Sequence, residues 1–450
     1  MARIDKTPFE ARITDLTHDG RGVAHRPSGE PGQLGKAVFV TGALPGERVM
    51  AVQTRRHRSF DEAQVVEVLE ASPHRVEPRC RHYDICSGCS LQHLEGGQQI
   101  LAKQHVLLEN LQRIGHVTPE RVLEPLVDQA WGYRRKGRFS VRRVEKKGRT
   151  LVGFRERDPR FVAEIEHCHT VIPQVGEKVG VLATLVDSLE ARSQIPQIEF
   201  IAGEPTADFS GVALTFRHLE PLSQGDRERL VAFGQEHGFA IFLQPGGVDS
   251  VHPLWPQAPE LAFGLPQWDL SFAFQPLDFI QVNAGLNGRM IERALDLLGA
   301  GAQDRVLDLF CGLGNFTLPL ARSVREVVGV EGEAGLVARA RANAERNGIA
   351  NARFFAADLG KDLSGESWMR EGFDRLLLDP PRSGADFVLA ELPLEQFKRI
   401  VYVSCHPASL ARDAGFLVNE KGWKLRAAGV MDMFPHTGHV ESIALFEPGE

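Results

Sequence analysis

From about residue 278 to the C-terminus, short apolar runs alternate with amphipathic stretches. The runs are RVLDLF, REVVGVE, ARFFAAD, FDRLLLD and RIVYVSC, followed by KLRAAGVMDMF and ESIALFE. Between them, NFTLPLARSV and AGLVARARANAERNGI read as helices. Strands alternating with helices predict a mostly parallel, doubly wound α/β sheet. No helix separates the last two runs, so they predict a terminal antiparallel hairpin.

The chain upstream has other patterns. Residues 8–70 (FEARITDLT, HDGRG, KAVFVTGALPGERVMAVQTRR, EAQVVEVLEAS) read as short strands punctuated by Gly and Pro. They predict a small closed barrel of the OB type, with an SH3-like barrel equally open. This segment resembles the TRAM domain, a small RNA-binding barrel. Residues 92–115 carry Ile100, Val106, Leu107, Leu111 and Ile114 at helical spacing, with Gly115 as a stop. From 131 to about 265 the pattern is strand-like with Pro and Gly breaks, predicting a β-rich central domain. There is no internal repeat.

Composition narrows the class. A chain of 450 residues exceeds one ordinary core, so several domains are expected. An apolar share of 43% with 25% charged residues describes a soluble globular protein. The N-terminus has no apolar signal segment and no run reaches membrane-spanning length, so the expectation is a cytoplasmic protein with no membrane partner. The net charge of −7 conceals a basic stretch: residues 131–160 hold twelve Arg or Lys against three Asp or Glu, a local +9. Its charges alternate with Tyr133, Phe139, Val141 and Phe154. This predicts a hairpin with one buried face and a cationic face toward a phosphate backbone.

Six cysteines are too few for a secreted disulfide scaffold. Cys80, Cys86 and Cys89 follow C-x5-C-x2-C, spacing suited to one metal centre. Cys168 is the best fourth ligand, with His167 and His169 offering a Cys3His alternative. Zinc and an iron–sulfur cluster are both open on spacing.

Polar groups collect at the ends of the C-terminal strands. DLFCGLGNF places Gly312 and Gly314 in a tight turn after the first strand. Glu331, Asp358 and Asp379 end the next three, on the edge where such folds bind ligands. Phe316 and Thr317 break the dinucleotide pattern, and the turn resembles motif I of S-adenosylmethionine-dependent methyltransferases. Cys311 inside it is expected to be inert packing. DPPR resembles the amine-methylase motif, but Arg382 stands where those enzymes need a stacking aromatic. Cys405 follows the fifth strand. Carbon-5 of uracil is a poor nucleophile until a thiolate adds at carbon-6, and a base must then remove the carbon-5 proton. Cys405 is the candidate nucleophile and Glu441 the candidate base, with His436 and His439 nearby.

Together DLFCGLGNF, DPPRSG, VSCHPASLARD, HTGHVES and FIQVNAGLN (279–287) resemble the RNA uracil-5-methyltransferase family over nearly the whole chain. An N-terminal barrel together with a cysteine cluster resembles the branch that modifies a uridine of 23S ribosomal RNA. The resemblance implies a 4Fe–4S cluster on Cys80, Cys86, Cys89 and Cys168. It implies S-adenosyl-L-methionine contacts at Gln281, Phe310, Asn315, Glu331, Asp358 and Asp379, with Cys405 as nucleophile and Glu441 as base. The implied domains are a TRAM barrel (1–70), a central iron–sulfur domain (71–97 and 131–270) and a Rossmann-like catalytic domain (98–130 and 271–450), in a monomer. A tRNA substrate and a non-catalytic RNA-binding assembly factor are the alternatives; an idle domain would be expected to have lost Cys405, Glu441 or an acidic strand end.

Overall fold

The computed structural model describes residues 6–17, 19–27, 34–206 and 209–449. Its largest sheet has eight strands: β1 (Arg121–Val122), β2 (Arg305–Leu309), β3 (Glu326–Glu331), β4 (Ala352–Ala356), β5 (Arg375–Leu378), β6 (Arg399–Ser404), β7 (Trp423–Met431) and β8 (Glu441–Pro448). Their spatial order is β4-β3-β2-β5-β6-β8-β7-β1. Strands β2 to β6 run parallel, and β8 lies antiparallel to both β6 and β7. This is the doubly wound sheet with its terminal hairpin. Successive strands are added outward from β2 in one direction and from β5 in the other. The switch point between β2 and β5 is where such sheets open a crevice at their C-terminal edge.

Side-chain alternation sorts these strands onto two cores. Val306, Val327, Val401 and Val403 join the core beneath the helix Ala284–Leu298. Leu307, Leu309, Val328, Ile400 and Tyr402 join the opposite core, with Leu107 and Leu111 of helix α1 (Gly96–Arg113). The helix Pro407–Gly415 crosses α1 closely. A Cβ on Gly115 would lie 2.3 Å from the Ala411 carbonyl oxygen, so only glycine fits where α1 ends.

The described residues of 9–70 form six strands around a small core of Val38, Val40, Val49, Ala51 and Ala63. Pairing is antiparallel except between Leu34–Thr41 and Phe60–Glu70. The central region carries a second six-stranded sheet, but it is less purely β than its pattern predicts. Helices Val179–Ser188 and Gln224–His237 pack on it. The second had legible signals: Ser223 caps its N-terminus and Gly238, at φ +65°, ends it. Its polar composition masks the buried pair Leu230 and Phe233.

The basic stretch departs from expectation. Tyr133, Phe139 and Val141 are buried, as the alternation requires. Most of the charges, however, are engaged within the protein. Arg138 pairs with Glu199, Arg143 with Asp187, Lys147 and Arg149 with Glu164, and Arg160 with Asp158. Arg142 donates to the Arg160 carbonyl at 2.7 Å, and Lys136 to the Leu277 carbonyl at 3.0 Å. Arg135 is buried. Three acids outside the stretch, Glu164, Asp187 and Glu199, offset part of the local +9, while Arg138, Lys147, Arg149 and Arg160 stay exposed on its surface.

Candidate active site

Five neighbouring strand ends open on one cavity of about 550 Å³, within the usual range of ligand sites. The turn after β2 is built from left-handed residues: Phe310 (φ +64°), Gly312 (φ +55°) and Gly314 (φ +90°). Such a conformation in a phenylalanine persists only where the surroundings enforce it. A Cβ on Gly312 would meet nothing within 4 Å, so a ligand can approach the backbone there. Glu331, at the end of β3, braces the turn. Its carboxylate accepts the Gly312 N–H at 3.2 Å and the Glu333 N–H at 3.1 Å. Beneath lies Asp308, fully buried and accepting from the Thr317 hydroxyl. Burial, with Asp379 and Glu331 nearby, pushes it up to about 7. Cys311 is a buried thiol beside it, as expected of packing.

The other half of the cavity holds Cys405 and Glu441. Strands β6 and β8 pair from Ile400 opposite Phe446 to Ser404 opposite Ser442. The next step of that register sets Cys405 opposite Glu441, where cross-strand side chains are close neighbours. Asp379 follows β5, which pairs with β6 through Leu378 and Tyr402. Burial pushes Cys405 up to about 11, with the carboxylates of Glu441 and Asp379 adding to the shift. Burial and Asp379 likewise raise Glu441 to about 8, opposed by Lys103 and Arg382. Burial raises Asp379 to about 7. Arg382 is the cation on the lining, and its Nη2 lies 3.1 Å from His439 Nε2. Burial and that guanidinium hold His439 at about 4, so its ring is neutral near pH 7.

The HPASLARD stretch has a structural task. His406 caps the helix Pro407–Gly415 by accepting the Ser409 N–H. Asp413, fully buried, accepts from the Tyr402 hydroxyl (2.6 Å) and the Ala385 N–H (2.8 Å), and Arg412 donates to the Ser383 carbonyl (2.8 Å). These bonds fasten the DPPRSG loop against the strand that carries Cys405.

Gln281, Phe310, Asn315, Glu331 and Asp379 all line the cavity. The Gln281 carbonyl accepts from Arg135 Nε at 2.8 Å. The Asn315 and Asn287 amides exchange hydrogen bonds of 2.9 and 3.0 Å. Asp358 does not reach the cavity lining. It lies two residues beyond β4, its side chain 57% exposed and paired with Lys361 at 3.0 Å. Sequence reasoning missed the aromatic lining of Phe263, Phe279 and Phe434. Phe279 is 67% exposed, a signal that FIQVNAGLN held without a pattern to mark it. Also missed was Lys103, a buried cation on α1 that pairs with Asp432 at 2.6 Å.

A second, smaller cavity of about 50 Å³ is lined by Cys80, Cys86, Cys89 and Cys168, with His82, His167 and His169. All four thiols are free. The Cys168 loop is held by its N–H donating to the Gly176 carbonyl (2.8 Å), and the first three by Ser87 N–H donating to the Arg155 carbonyl (3.0 Å). Burial raises Cys80, Cys86 (to about 11) and Cys89 (to about 12). Among the described residues, the three candidate ligand groups with atoms mutually within 4.8 Å are Asp15, His105 and Glu109.

Residues 266–448 match the family described as tRNA (Uracil-5-)-methyltransferase. The chain is 68% identical over 445 residues to the 23S rRNA (uracil(1939)-C(5))-methyltransferase RlmD of Xanthomonas campestris pv. campestris, covering 99% of this chain and 98% of that one. It is 67% identical over 446 residues to the protein of the same name from Stenotrophomonas maltophilia, with the same coverage. Among solved structures, the Pyrococcus abyssi tRNA (uracil-54, C5)-methyltransferase in complex with S-adenosyl-L-homocysteine superposes with a TM-score of 0.72. It shares 22% identity, covering 97% of this chain and all of that one, a likeness of fold. With full-length identity of this order, the chain belongs to the RNA uracil-C5 methyltransferase family.

Proposed function

We propose that this protein transfers a methyl group from S-adenosyl-L-methionine to carbon-5 of a uridine in 23S ribosomal RNA, as a monomer in the cytoplasm. The observation that carries the reading is the meeting of Cys405 and Glu441 across β6 and β8, beside the open glycine turn, in one cavity. The near-complete identity of length and the name of the relatives support the RNA substrate.

In this reading Glu331 takes the ribose hydroxyls, Gln281, Phe310, Asn315 and Asp379 complete the part of the cofactor site inside the cavity, and Asp358 serves it from beyond β4. S-Adenosyl-L-methionine supplies the methyl group and, as a sulfonium cation, favours the ionised forms of the acids around it. Cys405 and Glu441 are both raised, so the resting site holds a thiol and a carboxylic acid. Arg382 offsets the cost of ionising them. The Cys405 thiolate adds to carbon-6, forming a C–S bond and moving the electron pair onto carbon-5 and O4. Carbon-5 then takes the methyl as its bond to the sulfonium sulfur breaks, leaving S-adenosyl-L-homocysteine. The Glu441 carboxylate removes the carbon-5 proton, the double bond re-forms, and the C–S bond breaks to return the thiolate.

Cys80, Cys86, Cys89 and Cys168 would hold a 4Fe–4S cluster. Four half-buried thiols lining one cavity support that group. The N-terminal six-stranded unit acts as the TRAM barrel. Its Arg55, Arg56 and Arg58 are exposed and, among the described residues, have no carboxylate partner, which suits a phosphate backbone. The remaining chain divides into the central iron–sulfur domain (71–97 and 131–270) and the catalytic domain (98–130 and 271–450). Methylation of tRNA, 16S and 23S transcripts, with the modified base mapped, tests the reading. One 5-methyluridine in 23S RNA is expected; modification of tRNA alone would overturn the substrate.

A further inference from the structure

The segment 434–439 joins β7 to β8 and ends two residues before Glu441. It has little structure of its own: a single turn in which the Thr437 N–H donates to the Phe434 carbonyl at 3.3 Å. Within it, His436 is gripped by residues next to the cysteines. Its carbonyl accepts the N–H of Ser90 (2.9 Å) and of Leu91 (3.0 Å), the two residues after Cys89. Its own N–H donates to Gln99 Oε1 at 2.9 Å, and Gln99 Nε2 donates to the Leu91 (3.0 Å) and Leu94 (2.8 Å) carbonyls. Two residues on, the Gly438 N–H donates to Ser90 Oγ at 3.0 Å.

The ring of His436 is held as well. It stacks on Trp131, with centroids 3.8 Å apart and planes at 27°. Trp131 is touched in turn by Arg79, which precedes Cys80, and by His169, which follows Cys168. His436 is buried at φ +65°, a conformation that L-residues keep only when neighbours enforce it. The turn at Gly20 of the N-terminal unit packs on the same point: a Cβ there would lie 2.8 Å from Leu91 and 3.1 Å from Ser90 Oγ.

We infer that the cysteine loop is a clamp that positions the catalytic base: ligation of Cys80, Cys89 and Cys168 fixes Ser90, Leu91 and Trp131, and these hold His436 and Gly438 so that Glu441 meets Cys405. Ser90 and Gln99 are the positioning residues. The inference rests on the proposed roles of Glu441 and of the four thiols. It assigns the cluster's ligand loop a task in methyl transfer with no electron transfer.

Hydrogen–deuterium exchange of the full chain tests it, comparing anaerobically loaded protein with protein stripped of iron by oxidation and chelation. Stripping should speed exchange across 434–440 by about tenfold or more, while β2 and β5 exchange as before. In loaded protein, Ser90→Ala should speed exchange at Gly438 about tenfold, the loss of one half-buried hydrogen bond. It should keep its iron and its S-adenosylhomocysteine affinity, and lower kcat with KM for RNA unchanged. Ser90→Thr, which keeps the hydroxyl, should restore protection. Gln99→Leu gives an independent second variant, acting at His436. Exchange across 434–440 within twofold of wild type after iron removal and in both variants would overturn the clamp. A wrong base assignment reads differently: Glu441→Gln would turn over normally while the exchange coupling persisted.

Discussion

Arg135 separates a charge that binds RNA from one that builds the site. Its composition context suggests a phosphate contact. In the structure its guanidinium is buried, lies 4.7 Å over the Phe263 ring, and donates through Nε to the Gln281 carbonyl at 2.8 Å. Its backbone N–H donates to the Val282 carbonyl at 2.9 Å. Among the described residues Nη2 has no partner, and burial pulls the group down to about 10. Arg135→Met keeps the approximate volume and apolar packing and removes the charged donor. A hydrogen bond to a charged group is worth about 1.5–3 kcal/mol, and its loss leaves the half-buried Gln281 carbonyl without that donor. The cost falls on the segment carrying Gln281, so S-adenosylhomocysteine should bind roughly ten- to a hundredfold more weakly. Global stability should change less, because an incompletely paired buried cation is removed at the same time. Calorimetry reads the affinity, and filter binding against salt reads the engagement of phosphates. The logarithmic salt slope for RNA should be unaltered by Arg135→Met. Neutralising Arg55, Arg56 and Arg58 together should flatten it by about 0.7 for each phosphate that the barrel ceases to neutralise. Unchanged cofactor affinity with a flattened slope in Arg135→Met would refute the structural role.

The other expectations are of the same kind. Glu331→Ala should weaken S-adenosyl-L-methionine binding by roughly one to two decades in calorimetry, since it removes a charged acceptor and the brace on Gly312; unaltered affinity would remove Glu331 from the site. Anaerobically purified protein should contain iron and sulfide with broad visible absorption, lost in Cys89→Ser together with central-domain stability, because ligand binding is coupled to folding; colourless protein with stoichiometric zinc would overturn the cluster. Glu441 is raised to about 8, so below that pH it holds its proton and is no base. Cys405, raised to about 11, must also lose its proton, so kcat/KM for RNA should rise steeply up to roughly pH 8 and go on rising by about tenfold per pH unit above it; a flat profile from pH 6 to 9 would contradict this.

Much of the catalytic sheet was legible because its strands are short apolar runs between turn signals, and the polar residue ending each run marks the edge where a ligand can sit. The glycine turn, Cys405 and Glu441 follow from that pattern. The cross-strand register that sets Cys405 opposite Glu441 does not, since pairing between strands distant in sequence is decided by packing. Asp358 shows the same limit: it lies two residues beyond β4, exposed and paired with Lys361, a placement that the apolar run alone does not give. Charge was the least legible feature. Glu164, Asp187 and Glu199 pair with Lys147, Arg149, Arg143 and Arg138 from outside the basic stretch, and no local count of charges foresees it. Lys103 and Gln99 sit on a helix read correctly from its apolar face, yet their work lies in residues 432–436, more than 300 positions away.

The central claim is that Cys405 attacks carbon-6 and Glu441 removes the carbon-5 proton. A denaturing gel of labelled 23S RNA fragment incubated with Glu441→Gln and S-adenosyl-L-methionine tests both steps at once. Elimination requires proton loss, so the variant should methylate once and remain covalently joined to its RNA as a band of reduced mobility. Wild type should show that band only with 5-fluorouridine at the target, and Cys405→Ala should show neither band nor methyl transfer. Methyl transfer by Cys405→Ala near the wild-type rate would contradict the covalent mechanism, and full turnover by Glu441→Gln would take the base role from Glu441.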